Sequence, residues 1–187
     1  MRKTVLTVTA LLALLALPLG AEGGRGAALD LRVVLDCASL RGDARAEALA
    51  WFGRTWLDGI LQEGDTLRFW AAGQKAALAY EGVAGRGGAG PAKEALAGLA
   101  VSDGAPDLAG ALRGAAKLPR DAALSVTLIL CGSAESLSKA FQGSDEALIR
   151  YAKVETFPRW RLVTVGVDIA DRVKKAGRDF MAETKRR

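Results

Sequence analysis

Residues 31–36, Leu31-Arg32-Val33-Val34-Leu35-Asp36, form a nearly continuous apolar run closed by a carboxylate. This pattern predicts a strand covered on both faces of a parallel sheet. Over 43–61 the apolar residues Ala46, Leu49, Phe52, Trp56 and Ile60 recur at helical spacing, while Arg45, Glu47, Arg54 and Asp58 fall largely elsewhere, so one long amphipathic helix should pack on that sheet. Gly64-Asp65 marks a turn into a second strand over 66–71, and 74–80 reads as a shorter third. Glycine dominates 82–90, predicting an irregular loop, and Pro91 suits the first turn of a short helix running to about residue 100. A further helix is expected over 107–118, with Leu108, Ala111, Leu112 and Ala115 on one face and Pro119 just beyond. The run 124–131 is a second fully buried strand. A helix over 134–151, a strand over 159–167 and a closing helix over 169–185 complete the chain. Strands alternating with helices predict an α/β fold, with a mostly parallel central sheet and helices on both faces.

The N-terminal segment has a separate logic. Arg2 and Lys3 precede an apolar run from Val5 to Leu19, followed by small residues ending at Ala21, the pattern of a secretory signal peptide. The run is shorter than the roughly 20 residues that cross a bilayer core, and Pro18 interrupts its end. The expected organisation is a leader over 1–21, a Gly-rich spacer over 22–28 and one domain over 29–187, exported to a periplasm, cell envelope or medium. Cleavage would remove two positive charges and lower the formal net charge from +5 to about +3. That balance is too mild to imply nucleic acid, and the terminal Lys185-Arg186-Arg187 reads as a solvated tail.

The 187-residue chain contains no histidine and two cysteines. Without an imidazole, serine–histidine, cysteine–histidine and histidine–metal chemistry are all excluded. Two cysteines cannot alone supply a four-ligand zinc site. No recognisable general base or activated nucleophile is left, so a non-enzymatic role is expected.

The order of segments resembles a von Willebrand factor type A domain. The resemblance rests on Val33-Val34-Leu35-Asp36 with a helix behind it, Glu63 to Trp70, Ser102 to Leu112 entering a helix, Val126 to Leu130, and Arg161 to Val167. It implies a Rossmann-like sheet and a divalent cation at its upper rim, held by an Asp-x-Ser-x-Ser motif, a threonine and a late aspartate. Magnesium would want about six oxygen ligands there. Asp36 matches the first ligand, but Ala38 and Leu40 stand where the serines belong, Pro106 replaces the threonine and Cys131 the aspartate. Ser39 would substitute only in a shortened loop, and Asp103 and Asp107 are near enough in sequence to help. The site is expected to be degenerate, with no resident cofactor and Asp36 capping the nearby helix or bonding loop amides instead. In the family's sheet order the strands preceding Cys37 and Cys131 are neighbours, which leaves two readings: a disulfide across the rim, or two buried thiols.

Two further motifs need weighing. Gly85-Arg86-Gly87-Gly88-Ala89-Gly90 fits the Gly-x-Gly-x-x-Gly pattern, but the resemblance places it on the opposite rim, after an antiparallel edge strand. Arg41-Gly42-Asp43 spells an adhesion tripeptide, although Gly42 turning the loop and Asp43 capping the next helix explain it as well. Trp51, Trp56, Trp70 and Trp160 read as core or half-buried packing. Together these features predict a non-catalytic protein-binding module, with Asp36, Ser39, Asp107 and Ser133 as its candidate interaction rim. The alternatives are a cation-dependent adhesion domain with a rearranged site, and a nucleotide-binding enzyme using the Gly85–Gly90 loop.

Overall fold

A computed structural model describes residues 27–85, 89–117, 124–133, 135–136 and 152–165. The leader, residues 86–88 of the glycine loop and the closing helix expected over 169–185 lie outside these residues. Strand β1 (Leu29–Asp36) has no exposed residue, so it must sit between neighbours on both edges and layers on both faces. It pairs in parallel with β2 (Thr66–Ala72) and with β4 (Leu124–Cys131). β3 (Ala76–Val83) adds antiparallel to β2, and β5 (Ala152–Thr156) and β6 (Arg161–Val165) form a hairpin whose second strand runs antiparallel to β4. The six-stranded order is β3-β2-β1-β4-β6-β5.

This corrects the expected mostly parallel, Rossmann-like sheet with helices on both faces. The sheet is mixed, three of its five strand pairs are antiparallel, and the described residues include only three α-helices. The difference comes from residues 152–156, whose strand was not foreseen. The chain returning from β4 enters β5 at the outer edge, and the four-residue turn Phe157–Trp160 sends it back as β6, closed by a 3.0 Å bond from the Phe157 N–H to the Trp160 carbonyl. So short a connection permits only antiparallel pairing.

Alternation along β1 sorts the core into two layers. Leu29, Leu31, Val33 and Leu35 pack with α1 (Gly42–Phe52) and α2 (Gly90–Ala97), while Val34 packs with α3 (Leu108–Lys117), Ile129 and Val163. The long helix expected over 43–61 is shorter. From Gly53 to Leu57 it loosens into a π-helical turn, with the N–H of Asp58 bonded to the carbonyl of Gly53 at 2.9 Å. Widening keeps Trp56 and Leu57 buried. Trp160 is buried and stacks on Phe157 at 4.0 Å, and Trp51 tilts against both rings, so the hairpin turn docks on α1 through aromatic contact.

The second layer hides a charge network that the sequence reading did not anticipate. Asp30 and Arg32 lie two apart on β1 and therefore share its α3 face. Asp30 is fully buried and accepts from Arg32 at 2.5 and 2.9 Å and from Arg68 of β2 at 2.7 Å. Arg32 also reaches the Ala115 carbonyl of α3, and Arg68 donates to Glu81 of β3 at 2.7 Å. The network thus ties three strands to one helix. Replacing Asp30 by alanine would leave two buried guanidiniums without their shared carboxylate, and urea denaturation should register a loss of about 3–5 kcal/mol. An unchanged midpoint would show that the network contributes nothing.

Candidate functional site

The upper rim is built from the loops that follow β1, β2 and β4. Asp36, the last residue of β1, is completely buried, so its carboxylate needs partners within the protein. The chain turns immediately and supplies them. Oδ1 accepts from the N–H groups of Ala38 (3.0 Å) and Ser39 (2.8 Å), and Oδ2 accepts from the Ser39 hydroxyl. Ser39 Oγ in turn accepts the N–H of Gly132, just after β4, at 3.0 Å. A Cβ on Gly132 would lie 2.3 Å from the Ser39 carbonyl oxygen, so only glycine permits the two loops to approach this closely. Asp36 and Ser39 are therefore brought together, but as a loop staple facing inward.

The other two candidate rim residues are separate local caps. Asp107 accepts the Gly110 N–H at 2.8 Å at the start of α3, and its own N–H donates to the Gly73 carbonyl at 2.8 Å. Ser133 Oγ accepts from the N–H groups of Glu135 (3.1 Å) and Ser136 (3.4 Å). Among the described residues no hydrogen bond joins either side chain to Asp36. At the other positions of the family motif, Leu40 and Cys131 are fully buried and Ala38 nearly so. No group of three Asp, Glu, Cys or His side chains able to hold a metal comes together among the described residues.

Exposed charge on the rim comes from residues that the candidate set did not include. Arg41 donates to the Ala38 carbonyl (2.7 Å), the Ser102 carbonyl (2.6 Å) and Asp103 (3.1 Å), bridging two loops. Arg159, on the β5–β6 turn, pairs with Asp43 at 3.2 Å and Glu47 at 2.8 Å. Both charged ends of the Arg41-Gly42-Asp43 tripeptide are consequently held in ion pairs. Asp43 is not the cap expected for α1, since Arg41 occupies that position and Asp43 lies in the first turn. A carboxylate there also interacts favourably with the helix dipole. Arg159 could have been suspected only if the 152–156 strand had been recognised, because that hairpin carries it to the rim.

The cysteines are two free, buried thiols. β1 and β4 are adjacent, with Leu35 opposite Leu130. Alternation nevertheless turns the two sulfurs to opposite faces: Cys37 joins the core layer of Leu35 and Leu130, Cys131 that of Val34 and Ile129. Adjacent strands are therefore not enough for a crosslink, which also needs converging Cβ vectors. Burial pushes both thiols up. For Cys37, Arg45 partly offsets the effect, while Cys131 is pushed up to about 12 by burial and by the Asp36 carboxylate.

No family model matches the chain, and no curated protein or solved structure matches it. No described helix is long and apolar enough to cross a membrane.

Two outcomes follow from this geometry. Gly132→Ala should force the β1–α1 loop away from β4 and lower the melting temperature, whereas Ser39→Ala should remove one staple and lower it less; equal, negligible shifts would refute the close approach. A thiol whose folded pKa is raised contributes stability that is complete below its unfolded value and lost as pH rises towards the folded one. Denaturant midpoints should accordingly fall between the ordinary thiol value of 9.0 and about 12, and Cys131→Ala should flatten that fall. A parallel pH profile in the variant would contradict the assignment.

Proposed function

We propose that this chain is an exported, non-catalytic protein-binding module that recognises its partner through the fixed arrangement of charges on its upper rim. The observation that carries this reading is the saturation of Asp36. Its carboxylate is buried and already accepts three hydrogen bonds from its own loop, and so lacks the exposure a substrate or cation would need. Around that closed centre, Arg41, Asp43, Asp103 and Arg159 keep partly or largely exposed side chains. Their ion pairs contribute little stability in water but fix where each charge stands. Complementary charge supplies specificity and speeds encounter, which suits a macromolecular partner. Export is supported by the leader pattern over 1–21, which lies outside the described residues.

The test combines capture with cation titration. Asp103→Lys and Arg159→Glu should leave the melting temperature nearly unchanged and abolish capture of a partner from envelope extract, and raised salt should weaken capture by the parent chain. Capture that survives both reversals would place recognition elsewhere. Magnesium or manganese should leave the melting temperature unshifted; a rise that disappears in Asp36→Ala would instead establish the cation-dependent adhesion domain. A rise with nucleotide would favour the enzyme reading of the Gly85–Gly90 loop.

A further inference from the structure

At the opposite end of the sheet from the rim, two features adjoin. The first is the far half of the outer edge of β3, with which no strand pairs among the described residues; Ala77, Leu78 and Ala79 towards the rim, and Glu81 and Val83 at the far end, are exposed. Within Ala76–Val83 the single formal charge is Glu81, already held by Arg68 at 2.7 Å. Edges are usually protected from strand addition by lysine, proline or a covering segment. A bulge does break this one, because Phe69 pairs with Tyr80 and Trp70 with Leu78, leaving Ala79 unpaired. Beyond the bulge Tyr80–Val83 pair in continuous register with Thr66–Phe69. Ala84 directs its N–H to the Asp65 carbonyl and its own carbonyl to the Gly64 N–H, both at 2.8 Å, towards β2. Alternation therefore points the N–H and C=O of Val83 and Glu81 outward, away from the sheet.

The second feature is a cavity of about 280 Å³ beside this same stretch, lined by residues that include Leu61, Leu67, Tyr80, Val83, Pro91 and Ala92. None of these carries a formal charge. A row of outward main-chain groups next to an apolar cavity is the arrangement by which sheets bind extended peptides: the edge supplies hydrogen bonds and the cavity selects alternate side chains.

We infer that β3 is a strand-addition site for an extended segment of another protein, with a large apolar side chain of that segment seated in the cavity between Tyr80 and α2. A second copy of this chain fits less well. Antiparallel self-pairing about a two-fold axis keeps the same face of both copies together. On the cavity's face, shared with Phe69 and Leu67, β3 carries Ala77, Tyr80 and Gly82. Tyr80 already forms the cavity wall, and alanine and glycine cannot fill it. The site is independent of the rim, so either surface can fail without the other.

The probe is a fluorescein-labelled peptide of alternating leucine and threonine with terminal lysines, followed by anisotropy, with amide hydrogen exchange of the full chain read in parallel. Saturable binding is expected, with slowed exchange at Glu81 and Val83. N-methylation of alternate peptide amides, or replacement of the leucines by threonine, should weaken it by about tenfold or more, roughly the effect of losing one good interaction. Val83→Pro removes an outward N–H and should weaken binding similarly. Ala92→Leu fills the cavity and should erase the preference for leucine over threonine; melting curves establish that both variants are folded. The inference is overturned if the peptide does not bind, if N-methylation has no effect, or if sedimentation shows a dimer that Val83→Pro dissociates, which would make a second copy the occupant.

Discussion

A strand with no exposed residue cannot leave a charged side chain to water, and β1 carries three: Asp30, Arg32 and Asp36. Much of the molecule is arranged around meeting that demand. Asp30 and Arg32 are met across the sheet, by Arg68 of β2 and by the backbone of α3. Asp36 is met along the chain, by a loop that folds back over it and is then fastened to β4 through Ser39 and Gly132. Each charge is costly to bury alone and tolerable only in a complete set of partners. The two ends of one strand are thus fixed by different devices, one made of ion pairs and one of amides and a hydroxyl.

The same demand accounts for what could be read from the sequence. β1, β2 and β4 were legible because each is a mainly apolar run broken by one to three polar residues, and α3 was legible from Leu108, Ala111, Leu112 and Ala115. The β5–β6 hairpin was not, because Ala152-Lys153-Val154-Glu155-Thr156 alternates at an edge, where a short polar strand resembles a helix end or a loop. Missing one strand inverted the next, since the direction of β6 depends on how many strands precede it. The π-helical turn at Gly53 was invisible for a similar reason: a run of helical periodicity does not report which hydrogen bond closes it.

The candidate site was legible in its components and not in its orientation. Asp36 carried two readings, a residue of the interaction rim and a carboxylate that caps the nearby helix or bonds loop amides; the structure shows bonds to loop amides, with Ser39 beside them. Asp107 and Ser133 are rim residues whose oxygens cap their own turns. For the cysteines, the strands are adjacent and of the two readings left open the structure shows the buried thiols, because a one-residue offset between β1 and β4 sends them to opposite layers. Sequence spacing carries the neighbour relation of two strands, whereas facing depends on register, which is set by packing on both sides at once.

These differences divide the sheet into a closed end and an open one. At the rim, the approach of Gly132 to the Ser39 carbonyl leaves no room for a side chain, and the polar groups of the loop are already matched. Movement there would break several hydrogen bonds together, so the rim can present charge but cannot readily reshape around a ligand. At the base, Tyr80–Val83 pair with β2 on one side alone among the described residues, and the cavity beside Tyr80 leaves apolar contacts unmade. Unmade contacts are what an added strand could complete, whereas completed ones can only be copied in shape and charge. The two ends of the sheet therefore differ in how many polar and apolar partners are left unmatched, and the buried carboxylate that closes β1 accounts for the closure of the rim.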